Sequence, residues 1–572
     1  MKINDYEINY KENELDEILT NKTRKIEFIG PEFEGYQQLS TGDKVALEHL
    51  VNAAKIINDV ALEQDNPLNK KLKQALELEA TKNSHAKKAL SLFNALNGVA
   101  GFNGIDKHPT QIFKGVKLLK GKNFYPADLS EAELCEILIK MSQRGKIDEI
   151  KKILSARTMV RRNDDELIAI DYTDYFAEDF KKIANELELA AQNCVDENFK
   201  TYLEYQAKAL LHNDENFDML ADKHWADMQD TKLEFTISRE NYEDEMTSAV
   251  YNNKELADII SEHNIEVVSK DTLGCRVGIV NKSATEYILN SKKTLPYLSK
   301  KMPFNEQYEQ YVLQNDDVKQ TMVDVDIIAL TGDYAMCRGG ITTAQNLPNN
   351  DKLSVKNGYG RRNVYHRQVM FGKDITMQQK LLDRLVAPEL HQYIDAKKDI
   401  IFVIYHENGH SLGPNAEYQN AMGEYKHIIE EHKADVISMV SVEEIAKEYN
   451  MFSQEDLNKI YTSWIFSSLL LKAEPVFSNP HRVAELIQFN FLMENKVIFF
   501  DEERKLHINL TDFPKVMYKL LEDTIAVQLS KSVSKAREYV KRWAYWSENS
   551  AYIAQVQQEI GTKPYINIVT KF

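Results

Sequence analysis

Five residues, His406-Glu407-Asn408-Gly409-His410, fit the pattern H-E-x-x-H. Histidines at i and i+4 lie one helical turn apart on the same face, where two imidazoles can share one zinc ion. A Glu directly after the first His is then placed to take the proton of an attacking water. A catalytic zinc site needs a third protein ligand. Downstream, KHIIEEHKADVISMVSVEEI from Lys426 reads as a helix and offers Glu430 and Glu431. The spacing from His410 to Glu431 is 20 residues (431 − 410 − 1). A second helix packed on the first would bring Glu431 to the metal, with Glu430 as the alternative ligand. Asp435, one turn beyond Glu431, would accept a hydrogen bond from the outer nitrogen of a liganding His, and Glu430 can do the same. Gly409 and Asn408 stand against this helix. A mid-helix Gly costs about 1 kcal/mol relative to Ala, and Asn is a mediocre helix former.

The elements that would position these residues follow from periodicity. Residues from about Leu39 to Leu92 carry apolar side chains at three- and four-residue steps and read as helices. More amphipathic segments follow, up to about Trp225. KLEFTI (Lys232 to Ile237), DTLGCRVGIVN (Asp271 to Asn281) and VDVDIIALTG (Val323 to Gly332) each contain a strand. A Gly- and Asn-rich section continues to about Val369, and from Met377 onward the pattern is almost wholly helical. The expected fold is α+β, mostly helical, with a β-containing section in the middle.

Composition bounds the reading further. A chain of 572 residues is too long for one core, so at least two lobes are expected. A hydrophobic fraction of 43% and a charged fraction of 28% are those of an ordinary soluble protein. The net charge of −17 argues against a nucleic-acid partner, which needs a basic face. MKINDYEINYKENELDEI has no apolar core and does not read as a signal peptide. No apolar run approaches the roughly 20 residues that span a bilayer, so no membrane partner is expected. Cys135, Cys194, Cys275 and Cys337 are scattered without a C-x-x-C pair, which suits a reduced compartment and makes the cytoplasm the expected location.

HENGH followed by IIEEHKADVISM resembles the two zinc motifs of the dipeptidyl peptidase III metallopeptidases, in the pentapeptide form of their short bacterial members. The likeness extends from about Leu39 to Trp546. FYPADLSEAEL, TMVRRNDDELIAIDYTDYF and YQAKALL resemble stretches of those members. Glu240-Asn241-Tyr242-Glu243-Asp244 is similar to the family's E-x-Y-x-D, and Asn346-Leu347-Pro348-Asn349 to its N-[LI]-P-N. NPHRVAELIQFNFLMEN resembles the segment that carries its A-H-x-x-A histidine, with His481 in place and Pro480 replacing the Ala.

The resemblance implies a two-lobed exopeptidase with a wide cleft, releasing dipeptides from the N-terminus of short peptides. It implies one zinc per chain on His406, His410 and Glu431, with Glu407 as general base and Tyr242 and His481 stabilising the oxyanion. Glu240, Asn346 and Asn349 would hold the substrate's amine and backbone. A mixed lobe with a barrel-like section would comprise 1–285, with 320–372 and about 550–572 returning to it. A helical, zinc-bearing lobe would comprise 286–319 and 373–549. The chain would be a monomer or homodimer. The likeness departs at Glu485 and Asn490, where the longer members carry arginines toward the substrate's C-terminal side. An acidic residue there would not bind a peptide carboxylate. Two alternatives stay open: a different zinc peptidase (an endopeptidase or a single-residue aminopeptidase), and a catalytically silent relative that binds peptides.

Overall fold

Apolar residues at helical spacing make Thr41–Asp65 a long helix that buries Leu47, Leu50, Val51, Ala54 and Ile57. Ser40 starts it, its hydroxyl accepting from the Asp43 amide at 3.0 Å. The same logic recurs along most of the chain, and helices dominate the fold. The computed structural model describes residues 1–102, 109–116, 118–212, 214–240, 245–308, 320–332, 344–347, 361–366, 375–477, 479–561 and 563–572. Among them no helix is long and apolar enough to cross a membrane.

The chain forms two compact units. The first comprises Met1–Asn281, Val325–Thr342 and Lys563–Phe572, and the second Lys282–Asp324 and Thr343–Thr562. Among the described residues, 282–285, 320–324, 344–347, 361–366 and 550–561, expected with the mixed lobe, group with the second unit.

In the first unit the helix Thr41–Asp65 packs on the helix Ala177–Asn193 and on the strand Thr272–Val280. That strand is buried along almost its whole length and pairs antiparallel with Leu233–Glu240. Two strand pairs in this unit lie where only amphipathic or helical segments were expected. Thr158–Asn163 and Glu166–Asp171 form a hairpin that turns at Asp164, whose φ is 54°. Tyr565–Val569 runs parallel to Thr23–Glu27. A pairing between opposite ends of the chain leaves no local periodicity to read.

The three expected central strands are present and belong to one curled, five-stranded sheet. Gln320–Gly332 pairs antiparallel with Thr272–Val280, with a register shift between Ile327 and Ala329. At its other end, Gln320 to Asp324 pair in parallel with Arg361–Tyr365, which also takes Ala344–Leu347 as an antiparallel edge.

The second unit is a helical body around one apolar core that includes Ile404, Tyr405, Ile428, Val436, Ile437, Trp464 and Ile487. Its central element is the helix Lys426–Tyr449. Every residue from Ile428 to Val442 is buried except Glu431, which is half-buried. A helix covered on all sides is one that other helices surround. The helices Asp399–Gly409, Pro480–Glu494 and Phe513–Leu529 all pack on it. A short hairpin, Ile498–Phe500 with Leu506–Ile508, interrupts the expected helical run.

Candidate metal centre

The helix Asp399–Gly409 ends within the H-E-x-x-H motif, and His410 is its C-terminal cap with right-handed helical backbone angles. The i, i+4 geometry therefore survives to the second His. Gly409 is where this helix meets the central one. A Cβ at Gly409 would lie 2.9 Å from the Ala434 carbonyl oxygen and 3.1 Å from its Cα. Both atoms are backbone and cannot swing aside. The Gly that weakens the helix locally thus permits the approach that brings the two helices together. Gly409→Ala is expected to destabilise the chain, because overpacking costs about 1–3 kcal/mol against a helix-propensity gain of about 1 kcal/mol. Thermal denaturation of the metal-free chain checks this, and a raised Tm would contradict it. Asn408 is buried and donates from Nδ2 to the Ser291 hydroxyl at 3.1 Å, so its polar group is satisfied.

The two imidazoles meet edge to face, with Nε2 of His406 and Nε2 of His410 3.2 Å apart. Each ring has its other nitrogen on a carboxylate. His406 Nδ1 is 2.8 Å from Asp435 Oδ1, and His410 Nδ1 is 3.1 Å from Glu430 Oε1. An ionised carboxylate only accepts, so each Nδ1 is the donor, and a ring whose single proton sits there turns the Nε2 lone pair toward the centre of the group. Glu431 completes the group. Its Oε2 lies 3.4 Å from His406 Nε2, 3.6 Å from His410 Nε2 and 3.3 Å from His481 Nδ1. That oxygen is buried and has no hydrogen-bond partner. The ligand atoms of His406, His410 and Glu431 all lie within 4.8 Å of one another.

Charge points the same way. Glu407, Glu430, Glu431 and Asp435 gather here, while Lys433 is paired to Glu430 at 2.8 Å. Burial pushes Glu431 up, but His406, His410 and His481 bring it down to about 2. Burial likewise opposes ionised Glu430, and Lys433 and His410 outweigh it, holding this carboxyl below the usual range. Burial favours a neutral His406, yet Asp435 and Glu431 raise its pKa well above the ordinary value. Two Nε2 atoms facing each other, a carboxylate oxygen without a hydrogen-bond partner and an excess of negative charge fit a divalent cation with N and O ligands, which would displace any proton held there.

The other expected residues fall as follows. His481 opens the helix Pro480–Glu494, capped by Asn479, and is 59% exposed beside Glu431. Glu240 ends the strand Leu233–Glu240, and Asn346 pairs with Asn363 in the edge strand. Tyr242 and Asn349 lie outside the described residues. Glu407 is half-buried next to the His406 ring.

Glu485 and Asn490 both turn to internal partners. Asn490 Nδ2 donates to the carbonyls of Trp543 (2.7 Å) and Tyr545 (2.8 Å). Glu485 accepts from Arg482 at 2.7 Å. Burial nevertheless pushes Glu485 up to about 8 against the pull of Arg482, and Asp435 adds to the rise. The folded chain then keeps a proton that the unfolded chain releases near 4.5, so stability falls as pH rises from that value to about 8. Glu485→Gln is expected to flatten this fall. Its Tm should exceed the wild type's above about pH 8 and match it near about pH 4. Parallel Tm curves across the range would contradict the assignment.

Sequence reasoning missed two groups here. Tyr365 is fully buried within electrostatic reach of Glu407. Burial, then Glu407, raises its phenol well above the ordinary range. His432 and Gln488 are fully buried behind Asp435. Burial lowers His432 to about 4 despite Asp435, so its ring is neutral. No spacing rule marks these residues, because they reach the site through packing alone.

The chain has the fold of solved dipeptidyl peptidase III structures. It is similar to the enzyme from Caldithrix abyssi, with a TM-score of 0.77 and 20% identity over 97% of this chain and 98% of that one. It is also similar to the dipeptidyl-peptidase III of Corallococcus sp. strain EGB, with a TM-score of 0.68 and 17% identity over 98% and 97% of the two chains. The mostly helical fold with a curled sheet is the one the motif resemblance implied. Among curated proteins, Nudix hydrolase 3 of Arabidopsis thaliana is 23% identical over 86% of this chain. The chain spans 66% of that relative's length. No family model matches the sequence.

Proposed function

We propose that the chain is a zinc-dependent exopeptidase that releases dipeptides from the N-terminus of short peptides. The observation that carries this reading is the convergence of His406 Nε2, His410 Nε2 and the unpartnered Glu431 Oε2, in a chain with the dipeptidyl peptidase III fold. His406, His410 and Glu431 would hold the ion. When bound, zinc supplies Lewis acidity toward water and the scissile carbonyl. Glu407 accepts the proton of the attacking water and returns it to the leaving amine. Tyr242 and His481 donate hydrogen bonds to the oxyanion of the tetrahedral intermediate. Glu240, Asn346 and Asn349 bind the substrate's ammonium group and first amides, since a carboxylate and amide oxygens suit that cation.

The test compares zinc content with hydrolysis of a dipeptidyl-naphthylamide and a single-residue naphthylamide. The expected result is one zinc per chain with cleavage of the dipeptidyl substrate. Efficient cleavage of the single-residue substrate alone would favour an aminopeptidase. A zinc-replete chain inert across a peptide panel would favour a silent binder.

A further inference from the structure

Behind the candidate ligands runs a chain of hydrogen bonds whose direction is determined from one end to the other. The Thr524 hydroxyl donates to the Leu520 carbonyl at 2.7 Å, which uses its only proton. Tyr539, 3.3 Å away, must therefore donate to Thr524 Oγ1. The Tyr539 oxygen is then free to accept, and His432 Nε2 lies 3.0 Å from it. On the other side of the ring the Gln488 amide nitrogen, which can only donate, lies 3.3 Å from His432 Nδ1, so Nδ1 accepts and the ring proton sits on Nε2. The same amide nitrogen donates to Asp435 Oδ2 at 2.9 Å. Asp435 Oδ1 in turn faces His406 Nδ1 at 2.8 Å.

The amide of Gln488 cannot be turned over, because its oxygen would then face an acceptor-only carboxylate. In the orientation it takes, Gln488 Oε1 is left buried without a partner. An apolar side chain would avoid that penalty, so the polar nitrogen must matter. Gln488, His432 and Thr524 are all 0% exposed, so solvent cannot replace a lost link. Gln488 also lies two turns beyond His481 on the helix Pro480–Glu494, as Asp435 lies one turn beyond Glu431. One helix thus grips the central helix twice, at Glu431 through His481 and at Asp435 through Gln488.

We propose that Gln488 is a positioning residue of the metal centre: anchored between His432 Nδ1 and Asp435 Oδ2, its amide holds the Asp435 carboxylate against His406 Nδ1 and so fixes the ring with Nε2 turned to the ion. This rests on the metal-binding reading above. It adds a layer beyond the residues of HENGH and IIEEHKADVISM, since Gln488 lies on a third helix.

The experiment uses the full-length chain and zinc itself as the probe. Zinc affinity is measured by competition with a chromophoric chelator for the wild type and Gln488→Leu, with thermal melts confirming that both are folded. Loss of an outer hydrogen-bond partner weakens metal affinity about 10- to 100-fold, and a loss of at least about tenfold is expected here. An affinity within about twofold of the wild type overturns the proposal while leaving the metal reading intact. No zinc binding by the wild type overturns both. Because the Leu variant can fail to fold, the wild type is also examined by 15N-histidine NMR. His432 protonated on Nε2 and His406 protonated on Nδ1 in the zinc-loaded chain support the proposal, and His432 protonated on Nδ1 overturns it.

Discussion

Glu431→Ala is expected to lose stoichiometric zinc. The substitution removes the oxygen toward which both Nε2 atoms and His481 converge. Glu430 cannot take over without breaking its own contacts. Its Oε1 is held by His410 Nδ1 at 3.1 Å and by Lys433 at 2.8 Å. Releasing it would leave the fully buried Lys433 ammonium without that carboxylate, a costly change in an apolar core. The expected fall in affinity therefore exceeds the roughly 10- to 100-fold typical of an outer-shell partner. Zinc content after exhaustive dialysis, read beside chelator competition, measures it. Retention at one ion per chain would identify a different third ligand and make Glu430 the next to replace.

A second large effect separates chemistry from binding. Glu407→Gln should keep zinc at wild-type stoichiometry while hydrolysis of a dipeptidyl substrate falls by about 10²–10⁴, the usual contribution of a positioned general base. The amide is nearly isosteric but cannot accept the water's proton. His406, His410 and Glu431 are untouched, so metal affinity should hold. Measuring kcat and zinc content on the same preparation distinguishes this from a disturbed site. Activity near the wild-type level would remove Glu407 from the reaction and weaken the peptidase assignment as a whole.

How much of this was legible depended on the range of the interaction. The two imidazoles belong to one helical turn, and helix geometry alone puts them on one face. Asp435 could be named as a partner because it stands one turn from Glu431. The choice between Glu430 and Glu431 could not be made from spacing. Adjacent helical residues point about 100° apart, and only the seating of the central helix against Asp399–Gly409 sends Glu431 to the Nε2 atoms and Glu430 to the far side of His410. Glu485 and Asn490 stand where the longer members carry arginines toward the substrate; only packing commits Asn490 to the carbonyls of Trp543 and Tyr545, while Glu485 pairs with Arg482 on its own helix. The parallel pair Thr23–Glu27 and Tyr565–Val569 was invisible for the same reason.

By itself, then, the sequence determined the local pieces: a histidine pair at one-turn spacing, a second helix bearing acidic residues, three central strands, and the resemblance that implied a two-lobed peptidase. Those follow from rules that act within a few residues along the chain. Only the tertiary structure showed how Glu431 comes to face both Nε2 atoms while Glu430 turns to His410 Nδ1 and Lys433, why Gly409 is tolerated, and how the hydrogen-bond chain from Leu520 to His406 runs. Each of these depends on contacts between helices far apart in sequence. There, one missing Cβ against the Ala434 carbonyl sets the approach, and the approach sets the chemistry.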